Sequence, residues 1–236
     1  MTERLRTAFP SPPDDRDYQF SAIAPTIAPP MPGYLPGSIP PPLDQGNTGT
    51  CVANAVTGAA NYLFHRSTGK WLFDENSAQT LYVAATGDTS LQQGTYPRLV
   101  LEYARTTGIL GRDGQYYRIG AYHSLLSGNR QANFEQAIGV LHLPVVIALP
   151  WPDDWMIENV PFDTLPTPPA GEPDAGGHCL WGFRYVMKHP AANDLSLRLD
   201  DDLENSWSAS FALNGRVYGS AAYLMAKAFD LWSVSL

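Results

Sequence analysis

The sequence predicts an α+β fold, and three observations carry that expectation. Apolar residues recur at spacings of three and four through the first half of the 236-residue chain. From about residue 143 onward the pattern changes to β-branched and alternating runs of strand length. A content of 44% hydrophobic and 16% charged residues belongs to a chain that buries a core. Helices followed by a run of strands give a mainly helical half beside a sheet or barrel half. The expected organisation is an N-terminal arm, 1–42, and one body, 43–236, helical over roughly 43–115 and β over roughly 116–236.

The arm comes first. Eleven of the chain's 21 prolines fall in its first 42 positions, and each fixes φ and removes a donor. An extended, irregular segment follows from that. Within it Asp14-Asp15-Arg16-Asp17-Tyr18-Gln19-Phe20 forms a charged, aromatic island. A solvated linker is one reading. A strap across the body is the other, with Tyr18 and Phe20 pointing the same way on an extended chain as anchors.

Gln45-Gly46-Asn47-Thr48-Gly49-Thr50-Cys51 then leads into a helix whose buried stripe is Val52, Ala55, Val56, Ala59, Ala60, Leu63 and Phe64. A second helix is expected over 77–85, with Ala78, Leu81, Tyr82 and Ala85 on one face. A loop over 87–94 separates it from a third, carried by Leu99, Val100, Tyr103 and Ala104 and closed by Thr106-Thr107-Gly108. A short helix over 133–140 precedes a strand over 143–149. Pro150 to Gly177 reads as a long loop, of a length that in a compact domain goes with function. Strands follow from His178 to Met187, over 195–199, at Arg216-Val217-Tyr218 and at Trp232-Ser233-Val234.

Charge and cysteine content exclude several functions. The net charge of −8 offers no footprint for nucleic acid or an anionic membrane. No apolar run reaches the length of a membrane span, and the N-terminus lacks the apolar core of a secretory signal. Two cysteines, Cys51 and Cys179, imply no disulfide framework and make a poor zinc site, so no metal and no cofactor are expected. A cytoplasmic location is the matching expectation.

The chemistry centres on Cys51. At a helix N-terminus unpaired N–H groups favour the thiolate and lower a cysteine pKa, whereas an ordinary free cysteine is a small buried hydrophobe. A base decides between these readings. His65 lies about 20 Å down the helix at ~1.5 Å per residue, and His123, His142 and His189 sit in ordinary surface or core-edge contexts. His178 follows Gly176-Gly177, where another backbone can approach closely, and starts a rigid strand. With Cys51 it would form a thiolate–imidazolium pair. Asn205, in Glu204-Asn205-Ser206-Trp207, is the candidate to orient the ring. Cys179 points to the opposite face from His178 and reads as a buried core thiol.

These residues resemble the papain family of cysteine peptidases. Gln45-Gly46-Asn47-Thr48-Gly49-Thr50-Cys51 resembles its Q-G-x-x-G-S-C signature, Gly177-His178 its G-H segment, and Asn205-Ser206-Trp207 matches its N-S-W. The order Cys, His, Asn agrees, and the span from Cys51 to His178 is 178 − 51 = 127 positions, near the family's ~130. Asn214-Gly215-Arg216-Val217-Tyr218 is similar to the strand that follows N-S-W, and Gln93-Gly94-Thr95-Tyr96-Pro97 to the loop that pairs with substrate backbone. The resemblance implies a helical half packed on an antiparallel barrel-like half with a cleft between. It implies Cys51 as nucleophile, His178 as base and acid, Asn205 as orienting group, Gln45 as oxyanion donor, and Gly94, Gly177 and Trp207 around the substrate. The implied partner is a peptide or protein substrate.

Thr48 stands where many members carry a disulfide-forming cysteine, Val52 where a Trp often follows the nucleophile, and Ser208 where a Gly follows N-S-W. Asp14-Asp15-Arg16-Asp17-Tyr18 resembles an arm of bacterial papain-like proteins that lies near or over the cleft, which makes autoinhibition by 1–42 an expectation of the resemblance. Another Cys-His amidase or acyltransferase, and a silent binding module on the same fold, are the alternatives.

Overall fold

The structure is a computed structural model, and it describes residues 5–29, 33–152, 155, 174–187, 199–204, 210 and 215–236. Helix α1, Cys51–Thr68, is buried over its first 14 residues, wider than a single apolar stripe because its small residues let neighbours close in from every side. Gly58 shows how close they come. A Cβ there would sit 2.6 Å from the Trp181 indole nitrogen. Helix α2, Glu75–Thr86, starts on a reciprocal cap in which Asp74 accepts from the Ser77 amide and Ser77 returns its hydroxyl. Helix α3, Pro97–Thr106, opens with proline at its first position, where no amide partner is needed. Both run a few residues beyond the apolar stripes, because the caps and not the stripes set their ends.

Helix α4, Arg130–Gly139, is capped by the Asn129 side chain, and α5, Ala221–Lys227, is a short helix that no sequence signal marked. The strands are β1 (Gly33–Tyr34), β2 (Ile109–Leu110), β3 (Tyr116–Tyr117), β4 (Ala121–Ser124), β5 (Val145–Pro152), β6 (Asp174–Met187), β7 (Leu199–Glu204), β8 (Arg216–Ser220) and β9 (Asp230–Ser235). They form an antiparallel sheet in the order β4-β9-β5-β6-β7-β8, with β1 against β6, and β2 and β3 make a separate pair.

The central strand differs from expectation. β6 is 14 residues long and begins at Asp174, so His178 lies inside the strand rather than at its start. Its first half pairs β5, Leu149 facing His178, and its second half pairs β7. That pairing also shortens the expected 150–177 loop from both ends. The expected strand over 195–199 falls mostly outside the described residues, and β7 runs from Leu199 to Glu204. α1 packs on this sheet through Trp181 and Tyr62, and the core continues through Leu101, Phe134 and Trp232.

The arm is irregular, as its prolines require, and it contacts the body. Ala8, Phe20 and Leu35 belong to the buried core. The pairing of Tyr18 with Phe20 as anchors is half right. Phe20 is fully buried, but Tyr18 is 62% exposed, because Phe20 begins a single helical turn that rotates the two rings apart.

Candidate functional site

Cys51 is the first residue of α1, with Thr50 as its cap. The loop before it is knotted by its own side chains: Thr48 Oγ1 donates to the Gln45 carbonyl, and Gln45 Nε2 returns to the Thr48 carbonyl at 2.7 Å. Gln45 is therefore held beside the start of α1. The amides of Thr7, Cys179, Val52 and Cys51 itself face the Cys51 sulfur.

Cys179 follows His178 on β6, so its amide brings the strand that carries the imidazole up to the Cys51 sulfur. His178 is fully buried, its ring edge-on to Trp151 at 4.8 Å. Trp151 in turn meets Trp155 at 4.9 Å. Asn205 and Trp207 lie outside the described residues. Cys179 is a buried thiol, pushed well above its ordinary pKa by burial.

The groove between the α2–α3 side and the sheet holds a strand of this chain's own arm. Ala8 N–H donates to the Gly177 carbonyl at 2.9 Å, and Phe9 N–H to the Thr95 carbonyl at 2.9 Å. Thr95 N–H donates to the Thr7 carbonyl at 3.0 Å, and Thr7 Oγ1 to the Gly49 carbonyl at 3.0 Å. Both bridges are parallel. Gly94 and Gly177 make the approach feasible. A Cβ on Gly94, whose φ is +74°, would overlap the Thr7 carbonyl, and one on Gly177 would overlap the Ala8 carbonyl. Gln45 Nε2 also donates to the Leu5 carbonyl at 3.2 Å.

Further along, Ser11 N–H donates to Asp230 Oδ2 at 2.7 Å, while Asp230 Oδ1 accepts from Trp232 at 2.6 Å. Burial raises the Asp230 pKa. Arg98 of α3 reaches Asp14 at 3.1 Å and Asp17 at 3.2 Å. Arg16, and after it Arg98, holds the Asp14 carboxyl well below the usual range.

One electrostatic expectation is overturned. The Cys51 thiol is pushed up to about 11 by burial, which outweighs the amides that face it. With the arm in place the sulfur is fully covered, and desolvating a thiolate costs more than the helix end returns. The arm contacts, Trp151 and Asp230 had no signature in the sequence. Only the charged island around Asp14 and Asp17 hinted at a docking segment. Among the described residues no three His, Cys, Asp or Glu side chains gather tightly enough to hold a metal ion.

A helix opening on a cysteine, packed over an antiparallel sheet whose central strand carries a histidine, is the papain-like fold. No family model and no curated protein matches the sequence. Solved structures match in fold. Xylellain, a cysteine protease from Xylella fastidiosa, is similar with a TM-score of 0.77 at 16% identity, over 98% of this chain and 95% of that one. A procathepsin B from Trypanosoma congolense gives 0.73 at 12% identity, over 98% and 86%. A digestive procathepsin L 3 from the Tenebrio molitor larval midgut gives 0.64 at 16%, over 100% and 74%. The chain thus has the fold of papain-like cysteine proteases.

Proposed function

We propose that this protein is a thiol-dependent peptidase whose groove is filled by its own N-terminal arm. The observation that carries the reading is a peptide already seated there. Thr7–Phe9 pairs through its main chain with Thr95 on one side and Gly177 on the other, beside the Cys51 sulfur. A groove that holds extended backbone this way is suited to any peptide of complementary shape.

With the arm displaced, Cys51 loses its cover. Its proton passes to His178, and the thiolate attacks a peptide carbonyl. The charge on the carbonyl oxygen is taken by the Cys51 amide and by Gln45 Nε2, the donor that now meets the Leu5 carbonyl. The C–N bond breaks as the imidazolium protonates the leaving amine, and water, deprotonated by His178, hydrolyses the thioester. Asn205 is the proposed orienting group. The parallel course of the arm and the buried Cys51 thiol fit a resting, inhibited state. Both cysteines are free, which suits work in a reducing compartment.

The test is labelling with a cysteine-directed epoxysuccinyl or iodoacetamide probe, together with hydrolysis of a fluorogenic peptide before and after the arm is unseated. Loss of labelling in Cys51→Ala and of turnover in His178→Ala is expected. Equal labelling of all three proteins would remove the activated thiol from the reading, and an arm-free protein with no faster turnover would remove the inhibition.

A further inference from the structure

Between α2 and α3 the chain has no regular structure, yet it forms the rim of the groove. Asp88, 8% exposed, sits at the centre of that loop. Its Oδ1 accepts from the Ser90 amide at 2.9 Å and from the Ser90 hydroxyl. Its Oδ2 accepts from the Tyr82 hydroxyl at 2.7 Å and from the amides of Gln92 and Gln93 at 3.0 and 3.1 Å. Donors drawn from α2 and from three loop residues thus converge on one carboxylate. Bonds from Ser90 and Gln93 hold it well below the usual carboxylate range, so it is charged at any working pH.

Two links leave this knot. Leu91, at φ +60°, turns its carbonyl onto the Gly49 amide at 2.6 Å, and Gln92 Nε2 reaches the Asn47 carbonyl at 3.3 Å. The loop is thereby tied to the turn that leads into Cys51. In the other direction Tyr82 Oη also touches the Gly94 carbonyl at 3.3 Å, and Thr95 presents the N–H and C=O that pair with Thr7 and Phe9. The loop contains no cysteine, so no covalent staple does this work.

We propose that Asp88 is a positioning residue for peptide binding. By gathering these donors it freezes the rim so that Thr95 offers its backbone pair to a bound peptide, and it keeps the rim in register with the Gly49 turn before the nucleophile. The charge is essential to this role. Donors point at both oxygens, so an asparagine must turn its NH2 toward donors in either orientation.

The kinetic half of the test rests on the peptidase reading, and the exchange half does not. In full-length Asp88→Asn the amides of Thr95 and Phe9 should exchange with solvent about tenfold faster, since losing charge-assisted bonds opens the segment locally. Val56 and Ile147, in the core, should exchange at the wild-type rate. In a background with the arm unseated by Ala8→Glu, KM for a peptide should rise about tenfold with kcat within about twofold, the signature of lost ground-state binding.

Should Asp88→Asn fail to fold, Tyr82→Phe removes one donor and leaves the charge, and should give the same pattern at smaller size. Unchanged exchange at Thr95, or faster exchange spread evenly over the core, would overturn the proposal. So would a fall in kcat at constant KM. Absence of hydrolysis in every variant, Ala8→Glu alone included, would sink the peptidase reading, and the exchange rates would still decide on Asp88.

Discussion

The charge state of Cys51 gives the sharpest test of how the arm works. Five hydrogen bonds tie residues 5–9 of the arm to the body: Ala8 to Gly177, Phe9 to Thr95, Thr95 to Thr7, Thr7 Oγ1 to Gly49, and Gln45 to Leu5. At a net ~1 kcal/mol each they contribute about 5 kcal/mol. Ala8 is 3% exposed, so Ala8→Glu forces an unpaired carboxylate into a buried site at a cost of several kcal/mol, enough to unseat the arm.

The closed thiol stands at about 11 against an ordinary 9.0. At ~1.36 kcal/mol per unit that difference is about 2.7 kcal/mol against the thiolate. The sign follows from proton binding. The closed state holds the thiol proton more tightly than the open one, so this stabilisation of closure is fully present below about 9 and is lost as pH rises toward 11. Iodoacetamide reacts with thiolate only. At pH 7.5 the closed chain should carry about a hundredfold less of it than the opened one. The assay is the alkylation rate of Cys51 by mass spectrometry from pH 6 to 11.5, with Cys51→Ala as background and Ala8→Ser as a control that keeps the arm seated. The full chain should titrate near the top of that range and Ala8→Glu at or below 9. Coincident midpoints for the two would refute the covered-thiol reasoning.

Other expectations concern the same groove. In the arm-unseated background Gln45→Ala should lower kcat about 10²–10³-fold with little change in KM, read by peptide hydrolysis, because it removes the proposed oxyanion donor. Arg98→Ala releases Asp14 and Asp17 and should speed limited proteolysis within residues 10–20 a few-fold, an effect that high salt reproduces in the wild type because ions screen the pairs. Trp151→Ala empties a fully buried site against His178 and Trp155 and should cost about 3–5 kcal/mol in urea unfolding. Gly58→Ala drives a methyl into Trp181 and should destabilise by about 1–3 kcal/mol in the same assay, leaving thiol titration where it was.

What could be read from the chain beforehand was local. The start of α1 at Cys51, the approach of another backbone at Gly177 and the irregular arm all rest on residues whose preferences act within a few positions. The stripes located α2 and α3, but their ends came from Asp74 and Pro97, which the apolar pattern does not count. The length of β6 was hidden because half of it pairs β5 and half β7, a division that no run of side chains records. α5 lacked a signal altogether, since seven residues against a sheet need no amphipathic period to stay folded.

The amino-acid sequence by itself determined the chemical cast, a cysteine at a helix start, a histidine behind two glycines and a glutamine six residues before the cysteine, because those are properties of residue type and spacing. Tertiary structure alone decided the state of that cast. Residues 5–11 lie 40 to 46 positions before Cys51 and run from Gln45 past Gly177 of β6 to Asp230 of β9, so nothing local encodes their docking. In the folded chain the sulfur is fully buried, and desolvation, a property of everything packed around a group, turned the thiolate expected of a helix end into a thiol at about 11.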